Sequence, residues 1–150
     1  MKKTLAFAWA IVFTAVLACT QTSTWNQDFK KAQALSLKTG KPMLIDFSGT
    51  DWCSWCMKLD KEVFSQPAFK QYAEKNLVLM LAAFPKKTEL PAELKAQNDE
   101  LAKKYSVEGF PTVVLLNSKG ETLGVTGYMP GGPDEYVKHL KGIIEGGKKP

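Results

Sequence analysis

The amino-acid sequence predicts one α/β domain, a mixed sheet covered on both faces by helices. Three observations predict it. Apolar runs at 43–47, 77–84 and 112–116 are too short for core helices and are bounded by glycine, proline or polar residues, as buried strands are. The segments between them carry apolar residues at helical spacing, which gives the helix-strand alternation of a layered α/β domain. Asn117-Ser118-Lys119-Gly120 then reads as a tight turn into an antiparallel fourth strand at 122–126, so the sheet is mixed.

Taken in order, Thr24 and Gln27 have the form of a capping box, and Trp25, Phe29, Ala32 and Leu35 recur at helical spacing until Gly40 and Pro42 end the first helix. The strand at 43–47 is apolar apart from Asp46. From Cys53 a helical stripe runs through Cys56, Leu59 and Val63, with Lys58, Asp60, Lys61 and Glu62 off it. Ser65 to Pro67 restarts the helix, and Phe69, Tyr72 and Ala73 form its inner face up to Asn76. The charged stretch 85–91 reads as a solvated loop, followed by a helix over about 92–105 that turns Leu94, Leu101 and Tyr105 inward. Gly109-Phe110-Pro111 breaks that helix before the third strand. Gly131-Gly132-Pro133 starts a last helix with Val137, Leu140 and Ile144 as its core stripe, and the tail 146–150 is expected to be disordered.

Lys2 and Lys3 precede the apolar run 5–17, and small residues follow at Ala18 and Cys19, the layout of a secretory signal over residues 1–18. The run is shorter than the roughly 18 residues a membrane span requires. Val16-Leu17-Ala18-Cys19 also has the form of a bacterial lipobox, in which Cys19 is lipidated and becomes the mature N-terminus; ordinary cleavage nearby is the alternative. Either route exports the domain to the periplasm or cell envelope, with or without a lipid anchor. Removing 18 of the 150 residues leaves 132, enough for one domain, with 19–24 as linker and 25–145 as the domain.

All 20 basic residues are lysine, and loss of Lys2 and Lys3 leaves 18 against 15 acidic residues, a net charge of +3. Such a chain is only mildly basic. Without arginine it lacks the bidentate recognition of phosphates and bases, so a lysine-rich solvated surface is expected and a nucleic-acid partner is not.

The chemistry concentrates in Trp52-Cys53-Ser54-Trp55-Cys56. With Cys19 used in processing, Cys53 and Cys56 are the two cysteines left of three. If a helix starts at Cys53, the i, i+3 spacing puts both sulfurs on one face of its first turn, where they can close to a disulfide and reopen. Disulfides persist in exported proteins. A structural zinc site would want four ligands, and the chain offers no second cysteine pair; its one histidine, His139, lies beside the core stripe of the last helix and reads as a surface or rim residue. No metal is expected. A static staple is the other alternative, although a ring this small would stabilise weakly.

Ile45-Asp46-Phe47, the Trp52 to Cys56 motif, and Val107-Glu108-Gly109-Phe110-Pro111-Thr112 ahead of a strand hairpin and a final helix together resemble the thioredoxin family over about residues 25–145. Within that family, Lys61-Glu62-Val63-Phe64-Ser65-Gln66-Pro67 resembles the exported branch of DsbD- and DsbH-type thiol:disulfide oxidoreductases. The resemblance implies a thioredoxin-like fold with a mixed sheet of four strands, or five. It implies that Cys53 attacks as a thiolate and that Cys56, deeper in the helix, resolves the mixed disulfide. Asp46 would lie beneath the pair as a base of raised pKa, the alternative being an aspartate at a strand end in contact with water. Asp60 matches an acidic position of that branch, the alternative being a solvated acid.

Trp52 and Trp55 would form an apolar rim for substrate, with core packing the other role open to Trp52. Phe110-Pro111 matches the family's cis peptide, so Phe110 would offer backbone groups to an extended substrate. Two departures stand out: Ser54-Trp55 replaces the Gly-Pro of thioredoxin, and the spacing from Asp46 to Cys53 is one residue longer. The implied partners are protein disulfides and a membrane or soluble thiol electron donor, acting on a monomer with no cofactor beyond the redox-active Cys53–Cys56 pair. Because 132 residues leave no room for the inserted helical domain of the larger periplasmic oxidant, a disulfide reductase is expected; an oxidase, an isomerase or a non-enzymatic binding module are the alternatives.

Overall fold

The computed structural model describes residues 24–147, so the expected signal segment 1–18, the lipidation candidate Cys19, the linker as far as residue 23 and residues 148–150 lie outside it. Among the described residues no helix is long and apolar enough to cross a membrane. Five α-helices and four strands follow in chain order: α1 Phe29–Thr39, β1 Met43–Ser48, α2 Ser54–Leu59, α3 Pro67–Asn76, β2 Val78–Ala83, α4 Ala92–Lys104, β3 Thr112–Leu116, β4 Thr122–Thr126 and α5 Gly132–Gly146. A π-helical turn, Asp60–Phe64, joins α2 to α3. The sheet order is β2-β1-β3-β4, with β1 parallel to β2 and antiparallel to β3, and β3 antiparallel to β4. This is the expected mixed α/β architecture.

Alternation along β1 divides the core into two layers. Met43, Ile45 and Phe47 face one way, packing with Ala32 of α1 and Leu101 of α4, while Leu44 faces the other, packing with Leu59, Phe69, Tyr136 and Leu140. Asp46 shares the parity of Leu44, so its carboxyl is directed to the layer that holds α2, α3 and α5. Every residue of β1 is buried, which is the cause of the near-continuous apolar run in its sequence.

The π-helical turn serves this packing. The Ser65 N–H reaches back five residues to the Asp60 carbonyl at 2.8 Å, and the wider turn brings Val63 and Phe64 inward together with Leu59. It begins four residues after Cys56.

Four expectations need correction. The first helix does not start at the Thr24/Gln27 box: Asn26 is bridged to Met80 beside β2, through Asn26 N–H to the Leu79 carbonyl at 2.9 Å and Leu81 N–H to the Asn26 carbonyl at 2.8 Å. Asp28 is the N-cap instead, accepting from the Lys31 N–H at 3.0 Å. Trp25 therefore precedes the helix, and Leu35 is exposed. That single bridge is all there is of a fifth strand among the described residues. In α5 Tyr136 joins Leu140 as a fully buried core residue, its hydroxyl donating to the Gly127 carbonyl at 3.1 Å, while Val137 is half-buried at the margin. Finally α5 continues to Gly146, the first residue of the expected tail.

Candidate functional site: the Cys53–Cys56 dithiol

The loop from β1 into α2 places the two sulfurs. Cys53 is the N-cap of α2, in extended conformation, and its Sγ accepts from the Cys56 N–H at 3.2 Å. Cys56 follows one turn inside, and the two are joined in a disulfide with Cα atoms 5.3 Å apart. The Cys53 N–H is held by the Gly49 carbonyl at 3.0 Å. Gly49 has to be glycine, because a Cβ there would come within 2.9 Å of both the Trp52 ring and the Cys53 Cβ.

Asp46 lies beneath this turn, 6% exposed. The extra residue between Asp46 and Cys53 is absorbed in the loop, and the carboxyl still lines the same cavity as Cys56. That cavity, about 300 Å³, is also lined by Trp25, Ser48, Asp60 and Phe64. One carboxyl oxygen, Oδ1, has no hydrogen-bond partner. Burial first, and the nearby Asp60 carboxylate second, push the Asp46 pKa up to about 7. The same crowding, with burial again the larger cause and Asp46 the second, pushes the Tyr136 phenol above its ordinary range. Asp60 faces the cavity and accepts from the Ser65 hydroxyl through Oδ2 at 3.0 Å.

Aromatic rings flank the sulfurs on two sides. Trp52, 38% exposed, donates its indole N–H to the Phe84 carbonyl at 2.7 Å and meets Phe110 edge-on at 5.9 Å. The Lys86 ammonium lies 3.7 Å above its ring centre. Trp55, 54% exposed, packs on Tyr128 at 5.1 Å, and Lys58 lies over both rings. The Tyr128 hydroxyl donates to Glu62 at 2.7 Å. Both tryptophans are on the rim, so core packing is not the place of Trp52. The Phe110–Pro111 peptide is cis, and Phe110 also stacks on Phe84 at 4.9 Å. His139 does not line the cavity: its ring centre lies 6.5 Å from that of Tyr136, and its Nε2 is 3.0 Å from the Thr126 hydroxyl. Among the described residues no three side chains from His, Cys, Asp and Glu converge as a metal site would need.

Sequence reading missed Asp51. Its carboxylate accepts from the Lys86 and Lys87 N–H groups at 2.8 Å, from the Thr88 N–H at 3.1 Å and from the Thr88 hydroxyl at 3.0 Å. These bonds hold the Asp51 carboxyl below its ordinary pKa, the Lys86 N–H being the largest cause. Loop 85–91 is exposed as expected, yet it is tied at its start to the dithiol loop, and that tie carries Lys86 onto Trp52. Asp51→Ala should therefore raise KM for a protein disulfide while leaving the rate with a small aromatic disulfide unchanged, as measured by steady-state kinetics on both. Equal loss on the two substrates would place the effect elsewhere. The partners of Asp51 are 35 to 37 residues away, and no local sequence signal announces them.

Comparison with known proteins agrees with this geometry. Residues 29–143 match the thioredoxin-like domain family. The chain is 33% identical over 119 residues to the disulfide bond reductase DsbH of Chlamydia pneumoniae, covering 79% of this chain and 72% of that protein. It is 35% identical over 100 residues to the thiol:disulfide interchange protein DsbD of Salmonella typhimurium, covering 65% of this chain but only 16% of that much longer protein. A solved DsbH oxidoreductase superposes with a TM-score of 0.79 at 29% identity, over 92% of this chain and 95% of that one. With a helix-capping Cys-x-x-Cys pair at its centre, the chain belongs to the thioredoxin-like family of thiol-disulfide oxidoreductases.

Proposed function

We propose that this protein is an exported disulfide reductase that passes two electrons from the Cys53/Cys56 dithiol to disulfides of proteins outside the cytoplasm. The observation that carries it is the position of Cys53: capping α2 with its Sγ accepting from the Cys56 N–H and an aromatic rim beside it. The N-terminus of a helix favours negative charge, by about 0.3 to 1 kcal/mol when exposed and up to about 2 when partly buried, which promotes ionisation of the Cys53 thiol to the thiolate. That thiolate attacks one sulfur of the substrate disulfide, forming a Cys53–substrate bond and releasing the other substrate sulfur as a thiolate. Cys56, its proton taken by Asp46, then attacks the Cys53 Sγ. The internal disulfide closes and the second substrate sulfur leaves as a thiolate; the substrate has gained two electrons, and its two thiolates take up one proton passed on from Asp46 and one from water. A membrane or soluble thiol donor reopens Cys53–Cys56, and no further cofactor is required.

Phe110 and Pro111, Trp52 and Trp55 bound the surface on which the substrate chain would lie, with Phe110 offering its backbone. The direction of electron flow is supported by the relative described as a disulfide bond reductase, of which this chain covers 72%. Export is supported by the signal-like layout of residues 1–18, and Cys19 would then hold the mature domain to a membrane.

The equilibrium reduction potential of the Cys53/Cys56 pair against glutathione tests the direction. A reductase should give a value near thioredoxin's about −270 mV, while one near about −120 mV would make the protein an oxidase. Acceleration of insulin reduction by dithiothreitol is expected as well, and its absence would leave a binding module with a static disulfide.

A further inference from the structure

The matched family domain begins at Phe29, yet the cavity beneath the disulfide has a wall that comes from before it. Trp25 lines that cavity together with Asp46 and Cys56, and its ring centre lies 5.2 Å from that of Phe64. Asn26 clamps the segment to β2: besides its two backbone bonds, the Asn26 side-chain amide donates to the Leu79 carbonyl at 2.9 Å. A segment lacking regular structure is thus held by three hydrogen bonds at the one residue following the tryptophan.

We propose that Trp25 is a positioning residue of the redox site, a roof over the cavity that limits the water reaching Asp46 and Cys56. The proposal rests on the oxidoreductase reading for its functional meaning and on geometry for its substance. The charged and titratable groups facing Asp46 are Asp60 on the π-helical turn, Tyr136 on α5 and Cys56 on α2, and the cavity is lined by no lysine. Nothing cationic offsets the buried carboxylate, so the apolar roof and the amount of water admitted decide how readily Asp46 holds a proton. Asp46 exchanges its proton with Cys56 during resolution, and the roof therefore acts on the pH at which resolution proceeds. A residue outside the family domain would in this way tune a step performed inside it.

Carbon-13 NMR titration of the Asp46 carboxyl in the full domain tests this without relying on turnover. The wild-type midpoint should lie at about 7, following the burial of the group. Trp25→Ala opens the roof, water solvates the carboxylate, and the midpoint should fall by about one pH unit or more. Trp25→Phe keeps an aromatic ring on Phe64 and should hold the wild-type midpoint. Should Trp25→Ala fail to fold, Trp25→Leu supplies a smaller wall and should shift the midpoint in the same direction. An unchanged midpoint in whichever of these two variants folds would overturn the proposal, as would a fall in Trp25→Phe equal to that variant's. A shifted midpoint in a protein that fails to reduce insulin would leave the roof standing and sink the redox reading; intact insulin reduction with an unmoved midpoint would do the reverse.

Discussion

Cys53→Ser should abolish insulin reduction, a loss on the order of a thousandfold or more, whereas Cys56→Ser should accumulate covalent adducts between Cys53 and substrate that gels run without reductant reveal. The asymmetry follows from the geometry of α2. Cys53, itself only 7% exposed, caps the helix next to the exposed rings of Trp52 and Trp55, so a substrate disulfide lying on that rim would meet its sulfur first. Cys56 lies one turn inside, buried against the cavity of Asp46, and reaches only the Cys53 sulfur of the mixed disulfide. Serine at position 53 leaves no nucleophile at the rim. Serine at position 56 leaves the first step intact and removes the second. Neither change should unfold the protein, because a four-residue ring is worth at most about 2 kcal/mol by loop entropy, and the two core layers do not depend on it. Turnover persisting in Cys53→Ser, or adducts forming in both variants alike, would overturn the assignment of attack and resolution.

Much of this site was legible in the sequence because its parts are local. The cysteine spacing needs only a helix start, and the Asp46 exception stands out in an otherwise apolar strand whose burial follows from helices on both faces. Distant partners were the obstacle elsewhere. Thr24 and Gln27 have the form of a capping box, but Asp28 offers an equally good cap, and the choice is made by Asn26 pairing with β2 more than fifty residues away. Tyr136 and Val137 are adjacent on α5, and helical periodicity cannot rank neighbours. The aromatic ring takes the interior because its hydroxyl finds the Gly127 carbonyl. Asp51 and Tyr128 join the rim through bonds to Lys86, Lys87, Thr88 and Glu62, which sequence spacing does not encode.

Asp46→Asn should stabilise the protein at pH 8 and slow it as an enzyme, and both effects follow from one buried carboxyl. In the folded protein Asp46 titrates at about 7, against 3.8 for an ordinary aspartate such as the unfolded chain presents. Folding therefore favours its protonated form. As pH rises from about 4 to about 7 the unfolded chain has already released this proton while the folded one retains it, so stability falls through that window and stays low above it. At about 1.4 kcal/mol per pH unit, the gap amounts to at most about 4 kcal/mol. Asparagine carries no such charge, so urea melts should show the variant more stable than wild type at pH 8 by up to that amount, with the two converging near pH 4. A wild type equal to the variant at pH 8 would show that Asp46 is not destabilised by burial. On the kinetic side, resolution of the mixed disulfide should slow more than initial attack, because Cys56 loses its proton acceptor and Cys53 does not need one. Equal slowing of both steps would remove Asp46 from the proton transfer. A buried carboxyl that costs stability above about pH 7 and leaves Oδ1 without a hydrogen-bond partner beneath the resolving thiol is suited to accept a proton, since a carboxyl already satisfied by hydrogen bonds would hold its charge and take no proton.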